Sequence, residues 1–218
     1  MLARKSMLIA SSQFFSRFIG WIGLVILAKL WGGFAPEALG VIGFAMAFLG
    51  LFGFIADLGF SRAHVKRISE GKDLGRCMGT YTAVKLSLTT LMVAAIFIAI
   101  FIWKCMFNGR FVDATTESVV IVFIVYYIFA NLQQIPLSTF QARKEIAKRQ
   151  ITIMTENVVK IPLMIFVVVA VASSRWHPIV QPLQHFLATH AIGSLAMTYV
   201  LGVAASFLVG IYLFKKYP

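Results

Sequence analysis

The chain has 218 residues, of which 60% are hydrophobic and only 13% charged, and its mean hydropathy is +0.86; an ordinary water-soluble domain is excluded. Twenty Lys and Arg against eight Asp and Glu leave a net charge of +12. In a soluble protein that excess would suggest nucleic acid, but here it sits between long apolar runs, where it reads as membrane topology.

In chain order, six stretches approach the roughly 20 apolar residues that a helix needs to cross about 30 Å of hydrocarbon. They predict helices near residues 7–31, 38–61, 77–103, 118–141, 150–172 and 187–214, so that residues 1–218 form a single six-helix transmembrane lobe, all-α because backbone exposed to lipid must satisfy its own polar groups. The longest connections, around 62–79 and 173–187, leave no room for an extramembrane catalytic domain. Thirteen loop cations fall on one side: Arg4, Lys5, Arg62, Lys66, Arg67, Lys72, Arg76, Arg143, Lys144, Lys148, Arg149, Lys215 and Lys216. Lys104, Arg110 and Arg175 fall on the other, with Lys29 near the end of the first span. This bias puts both termini in the cytoplasm and the chain in the cell membrane as a multi-pass protein. Arg4 and Lys5 precede an apolar run as in a signal peptide, but the run is too long and Arg17 interrupts it, so it is expected to remain as the first span.

Polar side chains at bilayer depth are expensive and must face protein or water, which makes them the candidate functional residues. In the first span, Arg17 and Gln13 stand one turn apart beside a small-residue strip of Ser12, Ser16 and Gly20 suited to close helix packing. Arg17 either points inward or snorkels to lipid phosphate. Asp57, near the end of the second span, is a turn from Arg62 and is expected to pair with the cytoplasmic basic cluster. Lys85 shares a face with Thr82 and Thr89, and its stem is long enough either to snorkel or to turn inward. The fourth span carries a polar stripe of Tyr127, Asn131, Gln134, Ser138 and Gln141, with Pro136 a point for a kink. In the fifth, Thr152, Glu156 and Lys160 are four apart, Asn157 is adjacent, and Glu156 precedes Lys160 in the favourable order for an ion pair. Ser194, Thr198, Gly202, Ser206 and Gly210 make a small-residue seam along the sixth, a packing surface.

Arg17, Lys85 and Lys160 against Glu156 leave the candidate interior net positive, which favours an anionic ligand such as a phosphate or diphosphate. Gln13, Asn131, Gln134, Glu156 and Asn157 are the candidate cavity-lining groups. Cys77 and Cys105 lie at opposite ends of the third span, about 42 Å apart along a helix, too far to pair. No metal or cofactor is expected, since no Cys or His cluster has ligand spacing. The four histidines are scattered, with His177 and His185 in the outer loop, and no nucleophile, base and orienting acid can be assembled, so the chain is not expected to be an enzyme.

The run LGVIGFAMAFLGLFGFIADLGFSRAHVKRISEGKD at 39–73, together with SRFIGWIGLVILAKLWG at 16–32 and FQARKEIAKRQI in the fourth-to-fifth loop, closely resembles the N-terminal half of polysaccharide-biosynthesis membrane proteins. These are the oligosaccharide-lipid flippases of the multidrug/oligosaccharidyl-lipid/polysaccharide (MATE-like) exporter superfamily. The most specific element is Ala56-Asp57-Leu58-Gly59 followed by basic residues such as Arg62. The resemblance implies two six-helix lobes working by alternating access. It also implies a polyprenyl phosphate- or diphosphate-linked sugar as substrate, moved from the cytoplasmic to the outer leaflet, and a basic residue of the first span, here Arg17, at the lipid phosphate. The chain supplies one lobe, so the second belongs to the same full-length chain or to a separate one; assembly of two copies is the least favoured arrangement. The other readings are a cation-coupled drug antiporter on the same fold, with Glu156 or Asp57 as coupling acid, and a non-transporting scaffold for a polysaccharide-synthesis complex.

Overall fold

The computed structural model describes residues 2–107, 109, 111–173 and 181–216, and side chains at 7, 9–107, 109, 111–173 and 181–215. The side chains of Arg4, Lys5 and Lys216, and all of Arg110, Arg175 and His177, lie outside the described residues.

Every regular element described is a helix: α1 (Leu2–Trp31), α2 (Phe34–Gly50), α3 (Phe60–Ser69), α4 (Leu74–Cys105), α5 (Ala114–Ala142), α6 (Ile146–Ala172), α7 (Gln181–Thr189) and α8 (Ala191–Lys216). Five are long and apolar enough to cross a membrane, namely α1, α4, α5, α6 and α8, and the chain is an all-α multi-pass membrane protein. Two begin at an Asp cap: Asp73 accepts from the Arg76 amide at 2.7 Å and Asp113 from the Thr116 amide at 2.7 Å. The hydrogen bonds to Thr116 hold the Asp113 carboxyl below its ordinary range. Neither Pro136 nor Pro162 breaks its helix.

The second predicted span needs correction. In place of one helix over 38–61, α2 has 17 residues and ends at Gly50. A spiral of turns follows over 51–59, held by i to i+3 bonds such as Gly53 N–H to Gly50 C=O and Ala56 N–H to Gly53 C=O. Gly50 and Gly53 weaken the helix there, and the left-handed backbone of Leu58 (φ 43°) and Gly59 (φ 82°) turns the chain into α3. The connection expected at 62–79 therefore contains a ten-residue helix. On the other side, α7 occupies 181–189 and the sixth span begins at Ala191 rather than 187.

The helix α5 is the hub: it packs against α8 on one side and against α2, α3 and α4 on the other, while α6 lies along α8 and receives α1 on its outer flank. Apolar residues at helical spacing on α2 (Ala35, Ala38, Ile42, Ala45 and Leu49) and on α5 (Val119, Val120, Phe123 and Ile124) are all buried in one core. Many large side chains at bilayer depth, Phe14, Phe18, Trp21, Phe97, Phe101 and Leu208 among them, are exposed, as a lipid-facing surface requires.

Cross-contacts fix the two ends. At one, the Trp31 indole donates to Val168 C=O at 3.1 Å, Lys104 pairs with Glu117, and the starts of α2, α5 and α8 surround a shared cavity. At the other, Ser12 meets Gln150, His64 meets Thr139, and Gly210 abuts Pro136 and Thr152. The segment from Phe34 to Gly59 thus passes from one end of the bundle to the other, and the early part of α1 shares its end with the late part of α8.

Candidate functional site

Two polar networks cross the apolar interior, one on each side of α5. The first is built on the Ala56-Asp57-Leu58-Gly59 corner. Lys85 on α4 is 1% exposed, donates to Ala56 C=O at 2.7 Å, and lies 3.7 Å from the Asp57 carboxylate. At the corner the Phe60 amide turns to Asp57 C=O instead of Ala56 C=O, and the ammonium takes the place of that helical partner. Asp57 is also bonded by the Ser61 hydroxyl, which lies 2.7 Å from the Tyr81 hydroxyl, itself 3.4 Å from Ser138 on α5. His64 stacks on Tyr81 with centroids 4.2 Å apart and meets the Thr139 hydroxyl at 3.1 Å. Burial lowers the His64 pKa from its ordinary value, a contact with the Cys77 backbone partly opposing it. The Asp57 partner is therefore Lys85, not the cytoplasmic basic loop; Arg62 is exposed and forms no ion pair among the described residues. Lys85 turns inward rather than snorkelling.

The second network lies between α5, α6 and α8. Tyr126 donates to Glu156 at 3.4 Å, and the Lys160 ammonium sits over the Tyr199 ring, 4.9 Å from its centroid. Glu156 and Lys160, expected as an i,i+4 ion pair, are not within ion-pair distance and are held by different tyrosines. Further along, Gln133 bonds the Ser206 hydroxyl, which bonds Thr152 C=O. The α8 seam is a packing surface: a Cβ on Gly202 would lie 2.9 Å from Glu156 O, and one on Gly210 2.9 Å from Pro136 Cγ.

Of the strip on α1, Ser12 and Ser16 pack on α6, whereas a Cβ on Gly20 would have nothing within 4 Å and the close approach falls at Gly23 instead. Ser12 donates to Gln150 at 2.9 Å, Asn157 donates to Ser16 at 2.9 Å, and Gly23 lies against Met164 and Ile161. This pins the neighbouring face outward, so Gln13 and Arg17 are both exposed. Arg17 lies eight residues inside the Ile9–Trp31 span, about 12 Å along the helix, and has no partner among the described residues.

On the α5 stripe the residues diverge. Asn131 donates to Tyr127 C=O at 2.9 Å within α5, Tyr127 donates to Met46 C=O at 2.9 Å and so ties α5 to α2, and Gln134 is exposed. The structure does not bring Arg17, Lys85 and Lys160 together. Lys85 belongs to the α3–α4–α5 side, Lys160 to the α5–α6–α8 side, and Arg17 to the outer surface of α1. Reading from sequence missed Ser61, His64 and Tyr81 as companions of Asp57, and Tyr126 and Tyr199 as companions of Glu156 and Lys160. The first group carried a signal: Phe60, His64 and Arg67 at helical spacing mark α3. Among the described residues, no group of three or more His, Cys, Asp or Glu could hold a metal ion.

A family model described as "Polysaccharide biosynthesis protein" matches residues 2–217. No curated protein and no solved structure matches the chain with significance.

Proposed function

The chain belongs to the polysaccharide biosynthesis protein family, and from that premise we propose that it acts as one lobe of a transporter that flips a lipid-linked oligosaccharide from the cytoplasmic to the outer leaflet by alternating access. The observation that carries this reading is Arg17. Lys85 and Lys160 are each satisfied inside the lobe, by a carbonyl and carboxylate or by an aromatic ring. Arg17, at bilayer depth and partnerless among the described residues, needs an anion or water outside the lobe. A guanidinium facing a path between two lobes would bind a polyprenyl phosphate or diphosphate in bidentate fashion while the sugar crosses.

In this reading Arg17 holds the phosphate, the exposed Gln13 and Gln134 line the path, and Lys85, Lys160, Glu156 and Asn157 keep the lobe rigid. A second six-helix lobe, in the same full-length chain or in another, closes the path. No bond is made or broken, so the protein is not an enzyme. The two acids that a cation-coupled antiporter would need are engaged, Asp57 by Lys85 and Ser61 and Glu156 by Tyr126.

The test is flipping of a fluorescent polyprenyl diphosphate-linked sugar in proteoliposomes holding the complete transporter. Arg17→Ala is expected to abolish flipping at unchanged protein level, and Arg17→Lys to retain part of it. Flipping at the wild-type rate by Arg17→Ala overturns the assignment.

A further inference from the structure

The cytoplasmic end of the bundle holds a second basic feature that the transport reading does not use. Between α3 and the start of α4 lies an open crevice of about 430 Å³ lined by Arg67, Lys72, Arg76 and Thr80, with Glu70 and Asp73 on its wall. Both acids are engaged: Glu70 lies 3.8 Å from Lys66 one turn earlier, and Asp73 caps α4 through the Arg76 amide. Arg67, Lys72 and Arg76 are exposed, and none forms an ion pair among the described residues. With Glu70 paired to Lys66, the crevice therefore brings three cations together against the single carboxylate of Asp73 and stays net positive.

It also has an apolar arm. A smaller cavity of about 170 Å³ shares Arg67, Cys77 and Thr80 with the crevice and continues between Phe60, Ala63 and Val84. On the same corner Phe54, Leu58 and Phe60 are exposed, beside the basic face of α3 (Arg62, Lys66 and Arg67). Helices with an apolar edge and a Lys/Arg-rich face lie in the membrane interface, apolar edge among the acyl chains and cations at the phosphates.

We propose that the α3–α4 crevice is a binding site for an anionic phospholipid of the cytoplasmic leaflet, with the phosphate held by Arg67, Lys72 and Arg76 and the upper part of one acyl chain lodged between Phe60, Ala63 and Val84. Charge complementarity selects the anionic headgroup, and the apolar arm selects a lipid over free phosphate. The site sits beside the Asp57–Lys85 corner, through His64 and Tyr81, so its occupant braces the α3 helix against α4. The proposal is independent of which molecule the transporter carries.

The experiment is native mass spectrometry of the full-length protein released from detergent micelles doped with dioleoylphosphatidylglycerol or dioleoylphosphatidylcholine. Wild-type protein is expected to retain phosphatidylglycerol preferentially. In R67Q/R76Q that retention is expected to fall roughly tenfold, with phosphatidylcholine adducts unchanged. A63F, which fills the apolar arm without altering charge, is expected to lower it as well, whereas K144Q, which removes a cation from another cytoplasmic loop, is expected to match wild type. Wild-type retention in R67Q/R76Q or in A63F overturns the proposal. So does an equal loss in K144Q, which would mean unspecific charge, or displacement of the lipid by millimolar inorganic phosphate, which would mean an anion site without lipid selectivity.

Discussion

At the scale of single residues, the clearest consequence concerns Lys85. A lysine with 1% exposure is tolerated because its ammonium has a carbonyl acceptor and a carboxylate within reach. Lys85→Met keeps the volume and leaves the Ala56 carbonyl without its partner, so a loss of about 1–3 kcal/mol is expected in thermal unfolding in detergent. Asp57→Asn should cost less, because the Asp57 side chain is 43% exposed and water can replace its partner. A wild-type melting temperature in Lys85→Met would refute the bracing role. His64 gives the corner a pH dependence. Its pKa is lowered in the folded protein, so the unfolded chain takes up the proton first. Stability is then complete above about pH 6.5 and is lost as pH falls through the lower folded-state value. Melting temperatures measured from pH 7.5 down to 5 should show this decline in wild type and less of it in His64→Gln.

Among elements, two features decide how the helices pack. The α8 seam lets α6 approach so closely that a methyl group has no room at Gly202, where the nearest atom is a backbone oxygen at 2.9 Å. Gly202→Val is expected to destabilise the protein by roughly 1–3 kcal/mol through overpacking. Gly193→Ala on the same helix, where nothing lies within 4 Å, should leave the melting temperature unchanged. Equal behaviour of the two variants would show that the seam does not set the α6–α8 distance. The seam was legible in the sequence because small residues four apart along a membrane helix make a face that a neighbouring helix can approach closely. The break after Gly50 was not. Hydrophobicity continues unbroken through Phe52, Phe54 and Ile55, and lipid-scale patterning registers apolarity, not the hydrogen-bond pattern that changes from helix to turn.

At the scale of the whole molecule, the alternation of helices between two ends makes a topological prediction. Cys77 is near the start of α4 and Cys105 is its last residue, and both are free thiols, Cys105 exposed and Cys77 partly so. In intact cells a membrane-impermeant maleimide is expected to label Cys105 and to reach Cys77 only after permeabilisation, as read by labelling of the single-cysteine variants. The opposite pattern would invert the orientation drawn from the loop cations.

Class and the positions of five spans to within a few residues were legible in the sequence alone, because each depends on a one-dimensional quantity, the length of an apolar run, and the count of Lys and Arg in the loops supplies an expected direction of insertion. Which side chains meet was decided only by the tertiary structure. Glu156 and Lys160 satisfy the spacing rule for an ion pair, yet neighbouring helices offer each a tyrosine. Asp57 is five residues from Arg62 and twenty-eight from Lys85, and it pairs with the farther one because the corner turns its carboxylate toward α4. Arg17 differs from the other two membrane cations through a neighbour's property: Ser12 and Ser16 dock on α6 and thereby turn Arg17 away from the lobe. In a membrane interior a charge goes to whichever partner the packed helices bring within reach, and that distance is set by the fold.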